Sequence, residues 1–173
     1  MPASSRPGPV DAIALLIADH ERLKKLFKQF RFLCFTRATT KAEKVARLIC
    51  NEWTMHTTVE EEIFYPEARA AIDNPQIIDD AEADRAMAGE LIAQITGGSI
   101  ADKKFAARVG MLAEYVKHHV REEQLEVFPR VRQARLDMSE VGARLAARKH
   151  DLAAEIAAAE NRGPGQRLDS TGS

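Results

Sequence analysis

The 173-residue chain contains few cysteines, tryptophans and tyrosines, with two, one and two of these residues. Two cysteines are too few for the disulfide framework of a small secreted domain. Lysine and arginine together number 25 and aspartate and glutamate 26, so the chain lacks the positive excess of a general nucleic-acid binder. It also lacks an apolar run of about 18 residues, and we therefore expect no membrane-spanning helix.

The two ends of the chain differ in composition from the rest. Residues 1–9 contain three prolines and no apolar core of a secretory signal, so we expect a disordered leader. Residues 161–173 are polar and rich in glycine and serine, which predicts a disordered tail. Cys34 and Cys50 lack CxxC spacing and we expect both to be reduced, as in a cytoplasmic protein.

Between the ends, apolar residues recur at helical spacing, and no run alternates as a strand would. The second helix should run until Pro66 disturbs it. The pattern predicts five helices, over about residues 10–35, 39–66, 75–97, 102–130 and 139–160. Short links make neighbouring helices antiparallel, so we expect an all-α, up-down-up-down four-helix bundle over residues 10–135. The additional C-terminal helix, within residues 136–160, is amphipathic and could contact a protein partner.

One motif occurs twice, 63 residues apart. The first copy places Glu60 four residues after His56, and the second places Glu123 four residues after His119. In both copies an apolar and aromatic pair follows, with a proline ten residues after the histidine. A spacing of four puts each histidine and its glutamate on one helix face. The repeat therefore predicts two His/Glu pairs at a similar height on the second and fourth helices, which run parallel in an up-down bundle.

Both pairs continue the apolar stripe of their helix, so we expect them to point inward. His20 on the first helix and Asp84 on the third also lie on such a stripe. The interior thus receives six side chains that can bind metal: His20, His56, Glu60, Asp84, His119 and Glu123. Burying three carboxylates without partners is costly, and cations would satisfy them together. Three imidazoles and three carboxylates suit a pair of iron or manganese ions better than zinc alone.

These motifs resemble the hemerythrin-like family, also called the HHE cation-binding domain, over roughly residues 10–135. The resemblance rests on the sequence Asp19-His20-x-x-Leu23 and on the two H-x3-E copies with their trailing F-Y-P and F-P. It implies a helical bundle with a non-heme di-iron centre, oxo- or carboxylate-bridged, that handles O2 or related small oxidants. By position, the three histidines would be terminal iron ligands and the two glutamates of the motif would bridge. Manganese or zinc stay possible in place of iron.

The chain departs from the family pattern on the third helix, where the family has a histidine and this sequence has Asp84. As an oxygen ligand, Asp84 would stabilise the ferric state and favour peroxide, oxidase or redox-sensing chemistry over reversible O2 carriage. Alternatively, Asp84 faces water and the second metal is weakly held or absent. We favour ligation.

Three functions stay open on the sequence alone. The first is a cytoplasmic di-iron protein that binds or reacts with O2, peroxide or NO, with or without enzymatic turnover. The second is a metal-dependent sensor or interaction module without turnover, whose metal occupancy a protein partner reads. The third is a structural bundle with a degraded metal site.

Three neighbouring positions have lesser roles in this interpretation. The register of His118 and Glu122 competes with the motif, and we reject it because only the motif keeps the ten-residue spacing to the proline. Glu52 could hydrogen-bond a ligand histidine. Tyr65 could hydrogen-bond near the metals, but a half-buried packing position is the expectation.

Overall fold

The structure is a computed structural model that describes residues 10–83 and 85–162, and within them the side chains outside 81–86. In this part of the chain all regular elements are helical, which confirms the predicted all-α class. The α-helices are α1 (Ala12–Phe35), α2 (Thr39–Val59), α3 (Tyr65–Ala71), α4 (Gln76–Ala83), α5 (Arg85–Thr96), α6 (Phe105–Glu122), α7 (Phe128–Gln133) and α8 (Met138–Arg162). None of the described helices combines the length and apolarity that a membrane span requires.

The first helix has clear start and stop signals. The side chain of Asp11 accepts a hydrogen bond from the Ala14 backbone N–H at 2.9 Å, which caps the free N–H groups of the first turn. The helix ends before Arg37, whose φ of 56° lies in the left-handed region and turns the chain toward α2. α1 then packs along α2.

Two π-helical turns, Glu60–Phe64 and Glu123–Val127, join α2 to α3 and α6 to α7. Each turn begins at the glutamate of the repeated motif and ends two residues before a proline, Pro66 or Pro129. Pro66 therefore disturbs the second helix but does not end it, and the helical path continues to Ala71. A proline lacks an N–H and crowds the carbonyl four residues earlier in a regular α-helix. The wider π turn accommodates the proline, so the helix continues beyond it.

Two apolar clusters fill the interior, one on each side of a polar layer. One cluster joins α1, α2, α5 and α6, and the other joins the beginning of α1 to α3, α4, α7 and α8. Along α1, Leu23 belongs to the first cluster, Leu16 to the second, and His20 lies between them. Cys34 and Cys50 are free thiols. The cytoplasmic location inferred from these cysteines stays a prediction.

The C-terminal helix α8 packs against α1 and α2, with Val141, Leu145 and Leu152 buried. Gly142 allows this close approach, because a Cβ there would lie 1.8 Å from the carbonyl oxygen of Val10. The predicted fifth helix thus lies along the outside of the other helices, with its apolar face turned inward.

Candidate metal centre

Five of the six predicted side chains lie together between the two apolar clusters. Each of the five residues offers one imidazole nitrogen or carboxylate oxygen, and these five atoms all lie within 4.8 Å of one another. All five residues are at most 5% exposed. They are His20, His56, Glu60, His119 and Glu123. The sixth, Asp84, lies outside the described residues.

The repeated motif gives both His/Glu pairs the same backbone geometry. The N–H of Glu60 donates to the carbonyl of His56, and the N–H of Glu123 donates to the carbonyl of His119. One α-helical turn therefore separates each histidine from its glutamate, and both side chains lie on one face. The carbonyl of each glutamate then accepts the first hydrogen bond of the π turn. Both pairs thus stand where the helix changes from α to π geometry.

The two carboxylates lie between the three imidazole rings. The Oε1 of Glu60 is 2.9 Å from the Nε2 of His56, and its Oε2 is 3.4 Å from the Nε2 of His119. The Oε2 of Glu123 is 3.2 Å from the same His119 nitrogen and 3.1 Å from the Nε2 of His20. Each carboxylate therefore faces histidines from two different helices.

Several of these short contacts lack the alignment of a hydrogen bond. Both carboxylate oxygens of Glu60, the Oε2 of Glu123 and the Nε2 of His119 are buried without a hydrogen bond to any described residue. The atoms point toward a shared space rather than directly at one another. Buried oxygen and nitrogen donors left unpaired are costly, and a metal ion would satisfy them. The residues present therefore fit a metal site.

Burial and neighbouring charges act in opposite directions on the pKa values of the cluster. Burial lowers the pKa of His56, but the charge of Glu60 and the hydrogen bond with Asp19 raise it to about 9. Burial also lowers the pKa of His119, but the charges of Glu123 and Glu60 raise it to about 10. Burial raises the pKa of Glu60, yet the two imidazoles hold it well below its usual value. Without metal, protonated imidazoles thus balance the carboxylates at neutral pH.

A chain of polar contacts connects α8 with the cluster. The Nδ1 of His56 lies 3.3 Å from the Oδ2 of Asp19, and the other Asp19 oxygen accepts a hydrogen bond from Lys149. Burial raises the pKa of Asp19, but His56 and Lys149 lower it below its usual value, so the carboxylate stays ionised. Asp19 can therefore hold the ring of His56 with its Nε2 toward Glu60. The sequence pattern predicts no such role for Asp19, although it directly precedes His20.

Tyr65 contacts the cluster directly. Its side chain is fully buried, and its hydroxyl donates a hydrogen bond to the Oε1 of Glu123 at 2.8 Å. The expectation of a half-buried packing position is therefore wrong. The preceding π turn inserts an extra residue into the helix and rotates Tyr65 away from the face that α-helical periodicity predicts.

Two other expectations for neighbouring residues can be compared with the structure. Glu52 pairs with Arg22 at 2.8 Å rather than with a histidine of the cluster, so its expected role is wrong. His118 pairs with Glu122 at 3.1 Å on an exposed face. The pair His118/Glu122 is therefore exposed and the pair His119/Glu123 is buried, which confirms the predicted register.

Aromatic rings pack against two histidines of the cluster. The ring of Phe128 stacks on that of His20 with centroids 6.0 Å apart. The indole of Trp53 meets the ring of His119 edge-on, with centroids 5.0 Å apart. These contacts restrict the orientation of the two imidazoles and keep the surroundings apolar.

Fold and site together define an all-helical protein whose buried His/Glu cluster is suited to metal binding. Residues 11–131 match the family model of the hemerythrin HHE cation-binding domain. The chain therefore belongs to this family, which confirms the resemblance noted in the sequence. α8 lies beyond the matched residues.

A solved structure has a similar fold. It is the crystal structure of a hemerythrin HHE cation-binding domain-containing protein, the Rv2633c homolog from Mycobacterium kansasii. The TM-score is 0.73, with 18% sequence identity, over 91% of this chain and 95% of that chain. This similarity concerns the fold. No curated protein matches the chain.

Proposed function

We propose that the cluster holds a non-heme di-iron centre. His20, His56 and His119 would be the terminal ligands, and Glu60 and Glu123 would bridge the two metals. The supporting observation is the convergence of five buried donor atoms within 4.8 Å of one another. Two carboxylates that each face imidazoles from different helices suit two ions better than one.

Asp84 completes this proposal as a sixth ligand in place of the family's third-helix histidine. It lies between α4 and α5 in the sequence, and it would add an anionic oxygen donor to the set. Carboxylate donors favour hard, higher-valent ions, so the set would prefer iron or manganese to zinc and the ferric to the ferrous state. Replacing Asp84 with histidine should shift the iron-dependent absorption spectrum. An unchanged spectrum would place Asp84 outside the ligand set.

When bound, a di-iron centre supplies electrons to O2, peroxide or NO, and we propose that reaction with these small molecules is the function. The chain's own residues prepare the site for it. The aromatic rings beside His20 and His119 fix the two imidazoles, and the hydroxyl of Tyr65 orients Glu123. A carboxylate-rich set favours redox reaction over reversible O2 carriage.

Metal content and absorption spectra of matched variants test the proposal. The wild-type protein should bind about two iron ions per chain, as two-metal bundle sites do, and show an iron-dependent band that changes on exposure to air. His119→Ala should lose most of the iron. His118→Ala, one residue away on the exposed face, should keep it. Binding of less than one iron per chain, or equal loss in both variants, would refute the proposed site.

A metal-dependent sensor is the second candidate, and one observation favours it. Lys149 on α8 reaches the cluster through Asp19 and His56, so metal occupancy can affect the docking of α8. Hydrogen exchange of α8 backbone amides should then slow when metal binds, while peroxide turnover stays negligible. Rapid peroxide turnover with unchanged α8 exchange would favour the first function instead.

A further inference from the structure

A surface groove of about 720 Å³ lies between α1 and α6. Its floor includes the buried apolar side chains Phe27, Phe30 and Val116. The groove reaches His20 of the cluster at one end and Cys34 at the other. These two residues are 14 positions apart on one helix, so the groove is about 21 Å long at 1.5 Å per residue. A long, narrow ligand with an apolar body fits this shape.

Small residues on α6 keep the groove open. Ala106, Gly110 and Ala113 line it at helical spacing. A Cβ at Gly110 would meet nothing within 4 Å, so this position borders empty space rather than a packed neighbour. A longer side chain at Gly110 can therefore fill the groove without displacing the backbone.

The rim of the groove carries more positive than negative charge. Two of its cations, Lys24 and Lys117, have carboxylate partners on their own helix, at 3.6 and 3.7 Å. Lys28 and Arg31 are exposed and form no ion pair with the described residues. Both lie on α1 toward the Cys34 end, away from His20. The unpaired cations complement an anionic group at that end of the groove.

We propose that this groove binds a free fatty acid, with the carboxylate beside Lys28 and Arg31 and the alkyl chain on the apolar floor toward His20. The volume is in the range of small-molecule sites. A guanidinium and an ammonium together suit a carboxylate. Binding of a fatty acid would be a function additional to the proposed reaction with small oxidants. The groove residues would bind this ligand without a metal ion.

Calorimetric titration of the full-length protein with monomeric dodecanoate tests the binding, in both the metal-free and the iron-loaded form. Dodecanol and dodecyltrimethylammonium, which share the chain but carry no charge or a positive charge, are the controls. We expect saturable binding of dodecanoate, at least tenfold tighter than either control. Equal binding of dodecyltrimethylammonium, or no binding of dodecanoate, would overturn the proposal whether or not iron is bound.

Paired variants locate the site. Gly110→Leu should abolish dodecanoate binding, whereas Gly89→Leu, at another helical glycine with open space, should leave it unchanged. Lys28→Gln combined with Arg31→Gln should weaken dodecanoate binding at least tenfold and leave dodecanol binding unaltered. These two exposed substitutions keep the test valid if the leucine variant fails to fold.

Two other occupants of the groove would give different results. A second copy of this chain would produce a dimer of the wild-type protein that Gly110→Leu dissociates. A membrane surface would produce binding to anionic phospholipid vesicles without saturable binding of monomeric dodecanoate. Either result would overturn the fatty-acid proposal.

Discussion

Metal uptake by the His/Glu cluster should release two protons per chain at neutral pH. In the metal-free protein the pKa of His56 is about 9 and that of His119 about 10, so both rings carry a proton at pH 7. An imidazole must lose that proton before its Nε2 can bind a metal ion. The protons that balance Glu60 and Glu123 in the metal-free cluster therefore leave as the cations enter.

The expected size of the effect follows from this proton count. If two protons leave on binding, the apparent binding constant for the complete cluster rises about a hundredfold per pH unit. This slope should hold from neutral pH to about pH 9, where His56 loses its proton in the metal-free protein. The binding constant should level off above about pH 10, beyond the pKa of His119.

Anaerobic calorimetry with ferrous iron measures the proton count directly, because the observed heat varies with the ionisation enthalpy of the buffer. Titrations in three buffers at pH 7 give the number of protons released as a slope. The His118→Ala variant should keep that number, since its exposed ring faces Glu122 outside the cluster. Release of less than one proton, or an affinity that does not change between pH 7 and 9, would refute the charge balance inferred here.

Three further predictions concern stability and the contacts of α8. The raised pKa values of the two cluster histidines stabilise the metal-free protein fully below pH 6.5, and this contribution is lost as the pH rises through 9 to 10. The thermal midpoint of the metal-free protein should therefore fall between pH 6.5 and about 10, and that of the iron-loaded protein should not. Lys149→Met should weaken iron binding about 10- to 100-fold in a metal-competition assay, whereas Arg148→Met, which removes surface ion pairs, should not. Gly142→Ala should destabilise the protein by about 1–3 kcal/mol in urea unfolding, because the new methyl group meets backbone. Gly89→Ala, with open space around it, should stabilise it by about 1 kcal/mol.

The sequence was sufficient to predict the side chains of the cluster because their positions depend on local helical geometry. The four-residue spacing of each His/Glu pair and its place on the apolar stripe need only the period of an α-helix. His20 followed from the same stripe on the first helix. The register of His119 rather than His118 followed from comparison of the two copies, and the exposed pair of His118 with Glu122 agrees with it.

Other features depend on geometry that periodicity does not include. The π turn rotates Tyr65 toward Glu123. The sequence feature that accompanies this turn is a glutamate six residues before a proline, and the period of an α-helix alone does not identify it. The contact of Lys149 with Asp19 depends on how α8 docks, which joins residues 130 positions apart. The groove depends on the separation of α1 and α6 and on the open space beside Gly110, and helical periodicity describes neither.

The two halves of the repeat are alike in sequence but not in their surroundings. One oxygen of Glu123 already accepts the hydrogen bond from Tyr65, whereas both oxygens of Glu60 are without a hydrogen bond among the described residues. Among the histidines, the Nδ1 of His56 lies near Asp19, whereas the ring of His119 packs nearly perpendicular to the indole of Trp53. A carboxylate with one oxygen held by a hydroxyl is less free to change its binding mode than one with two unbonded oxygens. If the cluster binds metal, Glu60 would therefore be the carboxylate freer to change its orientation, and Glu123 would be the more fixed of the two.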